Sequence, residues 1–503
     1  MRSKRENFAA AATLVALGLP SQGWAADWLT LQGTEAPDTT HKVFGAVQLT
    51  YTSNDCNALS GMAAPNGTPT GNPKAGPGLN NGLYVNNCRV GPEFRDTSGL
   101  VADTLLLGAR GNLIPDRINY FLAVNAGENA TTYLPFKTSR ERLLSLTDAS
   151  VTLSYIPGAR IRAGLFKKPG PEELLQGIET ADYIIPTDFM ARVQVERFAR
   201  GNSKSGAAIA GQGYAGNISS YGYDSDAGRD WGVQLFDAFK QGAWTHSYAV
   251  MLGNGNGIHL KDEGYNGKKD INLYWSSEHD LSGYSPFYAL PATKGPLKHG
   301  VKLYAWHQQG VRNFETDASG TKSQDFDRIR YGVGVKALGH LFGENRGEHR
   351  LGVELMWANG MVFTAPTGNV AEGLFGGNTL QFAAEKGNKA QGVAVDYGYY
   401  FDKNWQFDLR YSKDDLLHET AGVWLPVDRR VYTDITLGTS YHFTPKTRLT
   451  FNYTLRDVGA PNAAVPTAAT AAAINNAAVA TNNNNVLTAT VGNRMDIRLT
   501  HTF

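Results

Sequence analysis

From Val43 to the last residue the chain is written in segments where apolar and polar side chains take turns, the period of a strand with one greasy and one wet face. The segments are roughly nine to thirteen residues long, enough for a tilted strand to cross a bilayer. The first half carries five. They are Val43 to Tyr51, Asp103 to Gly111, Ile118 to Asn125, Ala149 to Tyr155 and Ile161 to Leu165. In the second half the apolar members are Trp231, Val233 and Leu235, then Trp244, Tyr248, Val250 and Leu252, then Ile271, Leu273 and Trp275. A less regular stretch, Val301 to Gln308, comes before segments starting at Ile329, Leu351, Val393, Trp405, Ile435 and Leu449. The chain ends on MDIRLTHTF, with Met495, Ile497, Leu499 and Phe503 opposite Asp496, Arg498, Thr500 and Thr502. These make sixteen strands, with a weak one near Ser205 to Ala215 left uncounted. His501 stands on the apolar side of the last strand, where an aliphatic or aromatic residue is commoner.

The connections alternate in length. Short turns fall at Ile114-Pro115-Asp116, Pro157-Gly158, Lys240-Gln241-Gly242, Asp402-Lys403-Asn404 and Thr444-Pro445-Lys446. Between them lie Ser53 to Ser98, Lys168 to Ser205, Ala358 to Lys389 and the low-complexity Asp457 to Asn485. Tight turns at one end and long loops at the other mark an outer-membrane barrel with the tight side in the periplasm. Leu281 to Leu297 and Gly339 to His349 break the alternation by being long where short turns are expected. Tyr155, Tyr399, Phe401, Trp405, Tyr441, Phe443 and Phe503 sit at strand ends, where interfacial girdles need them. A soluble β-domain with aromatics in its core is the alternative that this pattern leaves open.

Composition changes the picture mainly at the start. Arg2, Lys4 and Arg5, an apolar Phe8 to Leu19, and Gly23-Trp24-Ala25 have the layout of a secretory signal peptide over residues 1–25. A short segment, 26–42, then leads to a barrel at 43–503. The formal charge is +1 over 503 residues, and losing three basic residues and one acid leaves it near −1. That balance gives no support to nucleic-acid binding. Beyond the leader no apolar run reaches the length of a membrane helix, so a membrane protein of this sequence must be a closed sheet. Cys56 and Cys88 would form a disulfide in an exported chain, and they lack the further ligands a closed zinc site requires.

ARIRAGLFKKPGPEELLQGIE, from Ala159 to Glu179, resembles the fifth strand and third loop of the phosphate-selective porins, the O and P porin family. The resemblance extends to GRDWGVQLFDAF at Gly228, AVMLGNGNG at Ala249 and LLLGARGNLIPDRINYFLAV at Leu105. It implies an all-β fold, a transmembrane antiparallel β-barrel of sixteen strands whose third loop, Lys168 to Lys204, folds inward. It also implies a homotrimer in outer-membrane lipid, with small hydrophilic or anionic solutes such as phosphate as cargo. Pro171 before Glu172 and Glu173 suits the first turn of a short helix. Lys167, Lys168, Arg192, Arg197, Arg200 and Lys204 flank or occupy the loop.

The polar faces carry Arg110, Arg160, Arg162, Arg328, Arg330, Lys336, Arg350, Arg410, Arg448, Arg456 and Arg498 against Asp148, Glu354, Asp396, Asp408, Asp434 and Asp496. Eleven bases against six acids lean toward anions in a narrow pore. Cross-strand ion pairing within the wall is the competing use of the same arginines. No Gly-x-Ser-x-Gly elbow, His-Glu-x-x-His helix, Walker loop or Cys-x-x-Cys-His is present, so no cofactor is expected. Gly253 to Gly257 reads as a hairpin turn. Three readings remain: a porin, an outer-membrane enzyme with a rim site, and a non-conducting barrel that sheathes a redox partner or acts as an adhesin.

Overall fold

The computed structural model describes residues 38–54, 98–127, 144–177, 181–194, 228–255, 257–258, 268–281, 300–315, 323–339, 348–360, 389–401, 404–419, 431–444, 446–459 and 493–503, with short pieces at 62–63, 69–70, 214–217, 362–363 and 379–383. The expected signal peptide, Cys56, Cys88 and residues 460–485 of the low-complexity loop fall outside them, while Asp457 to Gly459 end the strand before it. Sixteen strands form the wall. The first eight are β1 (Lys42–Asn54), β2 (Ser98–Ile114), β3 (Ile118–Ala126), β4 (Ser145–Ile156), β5 (Ala159–Lys167), β6 (Arg229–Gln241), β7 (Trp244–Gly253) and β8 (Asp270–Asp280). The second eight are β9 (Gly300–Glu315), β10 (Ser323–Gly339), β11 (Glu348–Asn359), β12 (Lys389–Tyr400), β13 (Trp405–Glu419), β14 (Val431–Thr444), β15 (Thr447–Gly459) and β16 (Arg494–Thr502). Each pairs antiparallel with its sequence neighbours, and β1 meets β16 to close the barrel. The weak strand expected near Ser205 to Ala215 lies at Tyr214–Asn217, outside the wall, in a small sheet with Thr379–Ala383 and Val362–Phe363.

The alternation read from sequence is the alternation of faces. Leu105, Leu107, Leu122, Val233, Leu252, Leu303, Val333, Phe407, Leu437 and Leu499 are exposed on the outside. Gln48, Thr50, Gln234, Asn272, Gln308 and Thr500 are buried on the inside. An apolar surface encircling a whole molecule would aggregate in water, but it is what hydrocarbon requires. Ring closure satisfies every ladder hydrogen bond that an edge would leave open. The chain therefore spans the outer membrane as a β-barrel.

Turn chemistry sets the short-turn end. Gly158 and Gly242 adopt φ of +73° and +62°, which the tight hairpins at Pro157-Gly158 and Gly242-Ala243 demand. The two expected exceptions persist, since β8 to β9 and β10 to β11 are joined by longer segments at this same end. Aromatic rings pack here as a girdle. Trp405 stacks on Phe407 with centroids 6.3 Å apart and meets Tyr441 at 4.8 Å, which in turn meets Phe443 at 4.9 Å. His501 faces outward in this belt, its Nδ1 2.8 Å from the Thr447 hydroxyl, which accounts for a polar ring on the greasy face.

The last strand closes the wall with its final residue. The Phe503 N–H donates to Gly45 O at 3.1 Å and the Gly45 N–H donates to Phe503 O at 3.2 Å. Inside the seam, Arg498 Nη2 reaches Asp103 Oδ2 at 2.5 Å and its Nε donates to the Thr50 hydroxyl at 2.8 Å. The Thr52 hydroxyl donates to Asp496 Oδ1 at 2.6 Å. A β-carbon on Gly45 would sit 2.2 Å from the Phe503 ring. Gly45→Val is therefore expected to slow barrel closure, read as a smaller heat-modifiable folded band on gels at matched refolding times. An unchanged folded fraction would remove Gly45 from the seam's requirements.

Candidate channel constriction

Beyond β5 the chain turns into the barrel. The Lys168 N–H donates to Gly228 O at 2.8 Å, so entry is fixed where β5 meets β6. A single helical turn, α1 (Glu172–Leu175), follows with Pro171 at its N-cap. The sequence places the two acids at the helix start to meet the helix dipole, yet their main partners are on the wall. Glu172 binds Lys302 of β9 at 2.7 Å and Lys336 of β10 at 3.2 Å, and the Tyr274 hydroxyl of β8 donates to it at 2.6 Å. Glu173 reaches Arg410 of β13 at 2.7 Å and accepts from the Thr187 hydroxyl at 2.8 Å. Lys167 donates to the carbonyls of Leu174 and Gln176 at 2.8 and 2.6 Å, the placement that suits a cation at a helix C-terminus.

The loop then continues round the inner wall. Asp182 pairs with Arg350 of β11, and Gln406 of β13 donates to it at 3.0 Å. Arg448 of β15 donates to Ala181 O, and Asn452 of β15 accepts from the Ile184 N–H at 2.8 Å. The return path is tied by Gln194, which donates to Gln308 Oε1 at 2.6 Å, while Gln308 Nε2 donates to Pro169 O at 2.8 Å. Arg330 Nε donates to Val193 O at 3.3 Å. Beneath these polar ties lies an apolar core inside the barrel. Leu175, Phe189, Met190 and Val193 of the loop pack with Phe236, Tyr274, Tyr304, Trp306 and Met356 of the wall. Inward glycines make room for it: a β-carbon on Gly332 would strike Trp306, and one on Gly334 would strike Tyr304.

Burial pushes the Glu172 carboxyl up, but Lys302 and Lys336, with hydrogen bonds from Lys302 and Tyr274, outweigh it and hold the group at about 2. Asp182 moves the same way: burial raises it, and Arg350 and Arg448 overcome the rise. A depressed carboxylate contributes stability that is present above its ordinary value, 4.5 for Glu172, and is lost as pH falls through the folded value. Loop docking is thus expected to be unchanged from pH 7 to about 5 and to weaken as pH nears 2. Conductance and limited proteolysis at stepped pH read this. A transition between pH 5 and 7 would contradict it.

The residues expected to line the pore separate by what they touch. Arg330, Lys336, Arg410 and Arg448 gather on the loop, each with an acid or a carbonyl in contact. Arg456 faces Ile185 to Asp188 across a pocket that is also lined by Arg410, Ser412, Asp434, Thr436 and Thr454. Arg328 lies beside Gln308, which bonds both Gln194 and Pro169 of the loop.

Arg110, Arg160 and Arg162 lie elsewhere, on β2 and β5. Arg110 sits over the Phe44 ring at 5.5 Å. Arg160 pairs with Asp237 at 3.0 Å. Arg162 is 1% exposed, with its guanidinium 4.3 Å from the Phe236 ring centroid and 5.4 Å from that of Phe166. Lys168 is equally buried, and the Arg192 side chain is outside the described residues.

The most accessible charges among the ion pairs at the loop are Asp396, 23% exposed, Glu173, 18%, Lys336, 16%, and Asp182, 15%. The passage wall there is of mixed sign. Sequence reasoning missed Lys302, Tyr304 and Trp306 of β9 and Tyr274 of β8; for the β9 residues the irregular Val301 to Gln308 was the signal, since its aromatics stand on the face that should be polar. Among the described residues no group of three or more His, Cys, Asp or Glu side chains could hold a metal ion.

No protein-family model and no curated protein matches the chain. Solved structures to which the chain is similar include an anion-selective porin from Comamonas acidovorans, 13% identical with a TM-score of 0.45, covering 93% of this chain and 100% of its own. Pseudomonas putida OprB is 10% identical at a TM-score of 0.45, covering 93% and 95%. Salmonella typhi OmpF in complex with daunomycin is 11% identical at 0.44, covering 93% and 98%. Likeness at these identities and scores adds nothing to the barrel described above.

Proposed function

We propose that this chain is an outer-membrane porin through which small hydrophilic solutes diffuse passively. One observation carries the reading: a loop inside the barrel is fixed to the wall from β9 to β13 by buried ion pairs, and partly exposed charges of both signs border it. A barrel that only sheathes or adheres has no need to position charges around an inner loop. Fixed dipoles and charges at a constriction tune what passes and cost no rearrangement when a solute arrives.

The anion preference, and membership of the phosphate-selective family, belong to the same proposal. The eleven bases against six acids counted on the polar faces of the sequence support it, while Asp103, Asp230, Asp270, Glu278 and Asp414, also buried among the described residues, narrow that excess. Pairing of Lys336, Arg350 and Arg410 with carboxylates argues that the preference is mild. Homotrimeric assembly, implied by the family resemblance, is proposed with it and is read by native mass spectrometry.

Planar-bilayer recording tests the proposal. Stepwise ohmic currents with a small anion-side reversal potential in a chloride gradient are expected, and absence of current would favour the sheath or adhesin. Lys336→Gln should move the reversal potential toward cations. Arg162→Ala should leave it unchanged, because that guanidinium is buried between rings. The opposite ranking would reassign the solute path to the β5 wall.

A further inference from the structure

Where the loop meets β11 to β13, polar atoms are left over. Asp408 of β13 accepts from Arg350 and Gln406 through Oδ1, both at 2.8 Å, and its buried Oδ2 has no hydrogen-bond partner among the described residues. Tyr183 of the loop is buried with its ring centroid 3.9 Å from the Arg410 guanidinium, and its hydroxyl also has no partner among them. Burial, with the carboxylates of Asp396 and Asp408 nearby, pushes that hydroxyl well above its ordinary value, so it stays a donor. Asp396 of β12 accepts from Arg410 Nε through Oδ1 at 2.7 Å, and among the described residues its Oδ2 accepts no hydrogen bond. That oxygen lies 3.7 Å from where a β-carbon on Gly352 would stand. Buried polar atoms are nearly always partnered, so unmet acceptors gathered beside a passage call for a donor from outside the chain.

A base stands on the other side of the same glycine. Lys336, Gly352 and Asp396 follow one another in register across β10, β11 and β12, and Lys336 Cγ is 3.8 Å from the point that Asp396 Oδ2 approaches. Gly352 has no side chain to separate them. Asp396 and Lys336 are also the most accessible acid and base among the ion pairs at the loop. A lone anion drawn to Lys336 meets the carboxylates of Asp396 and Glu172, and a lone cation drawn to Asp396 meets Lys336 and Arg410. A molecule that carries an ammonium and a carboxylate one carbon apart satisfies both sides at once.

We infer that Asp396 and Lys336, with Asp408 and Tyr183 as neighbours, form a subsite for small zwitterions of the amino-acid type. This rests on the porin reading, since solute must reach the loop. Proteoliposomes holding the full chain are placed in isosmotic alanine and, separately, in lactamide, a neutral molecule of nearly the same size, and their swelling rates are compared. Alanine is expected to enter faster by up to about fivefold, the effect of one partly exposed charge pair. Asp396→Asn, which can still accept from Arg410, and Lys336→Gln should each abolish the difference, and Asp396→Glu should retain it. Equal wild-type rates, the result if water alone meets the unpaired atoms, would overturn the subsite. A difference that survives either Asp396→Asn or Lys336→Gln would do the same. Should neither solute cause swelling, the porin reading fails, and saturation-transfer NMR from the detergent-solubilised chain to the alanine methyl group reads the subsite by itself. Transfer lost in Asp396→Asn then supports it, and no transfer in the wild type overturns it.

Discussion

Glu172→Ala is expected to release the inward loop and raise the unit conductance. The carboxylate is the counter-ion of two lysines, one of them 2% exposed. Its removal leaves Lys302 buried beside the Tyr274 and Tyr304 rings, 5.7 and 5.9 Å from its ammonium, with Glu278 at 3.7 Å in partial compensation. Breaking a buried pair from one side costs about 3–5 kcal/mol, enough to outweigh the docking of one loop segment. Larger, noisier current steps and new protease cuts between residues 168 and 194 are the expected readouts. Glu172→Gln should be milder, since an amide still accepts from Tyr274. Wild-type conductance from Glu172→Ala would mean that the loop is held by its apolar contacts alone.

Phe189→Ala attacks those apolar contacts. The ring is fully buried in the core between loop and wall, against Gly392 of β12, whose missing β-carbon leaves it space. Truncating a buried aromatic costs about 3–5 kcal/mol, and the barrel itself, held by its ladder, should remain folded. Conductance should rise as in Glu172→Ala while the heat-modifiable band is retained. If the loop leaves the wall as one unit, the double variant should conduct no more than the larger single effect, because residues in one cooperative element do not act additively. Additive increases would indicate two independently docked halves.

The barrel could be read from sequence because a strand between lipid and water has its two faces chosen by two different solvents. Period-2 alternation in segments such as Leu449 to Leu455 and Met495 to Phe503 carries that choice residue by residue. The loop's inward course was available only through resemblance. Its ties join residues far apart in sequence, such as Glu172 to Lys336 and Asp182 to Arg350, and no local pattern encodes a partner of that kind. A polar inward face also looks the same whether its arginines meet solute, a neighbouring strand or a loop carbonyl. Arg330, which donates to the carbonyls of Val193 and Gly360, is the third case. The interior core left one local trace, Tyr304 and Trp306 on the wet face opposite Gly334 and Gly332, and that trace looks like irregularity until the loop supplies its other half.

A cysteine pair at Gln194 and Gln308, placed in a chain with Cys56 and Cys88 replaced by Ser, tests the docked loop most directly. The two amides meet at 2.6 Å across the lumen face of β9. A short thiol cross-linker should bridge them in native membranes, and the bridged barrel should conduct as the unbridged one does, since the loop is already where the bridge would hold it. Failure to bridge, or loss of current on bridging, would place the loop away from the wall and contradict a passage bounded by it.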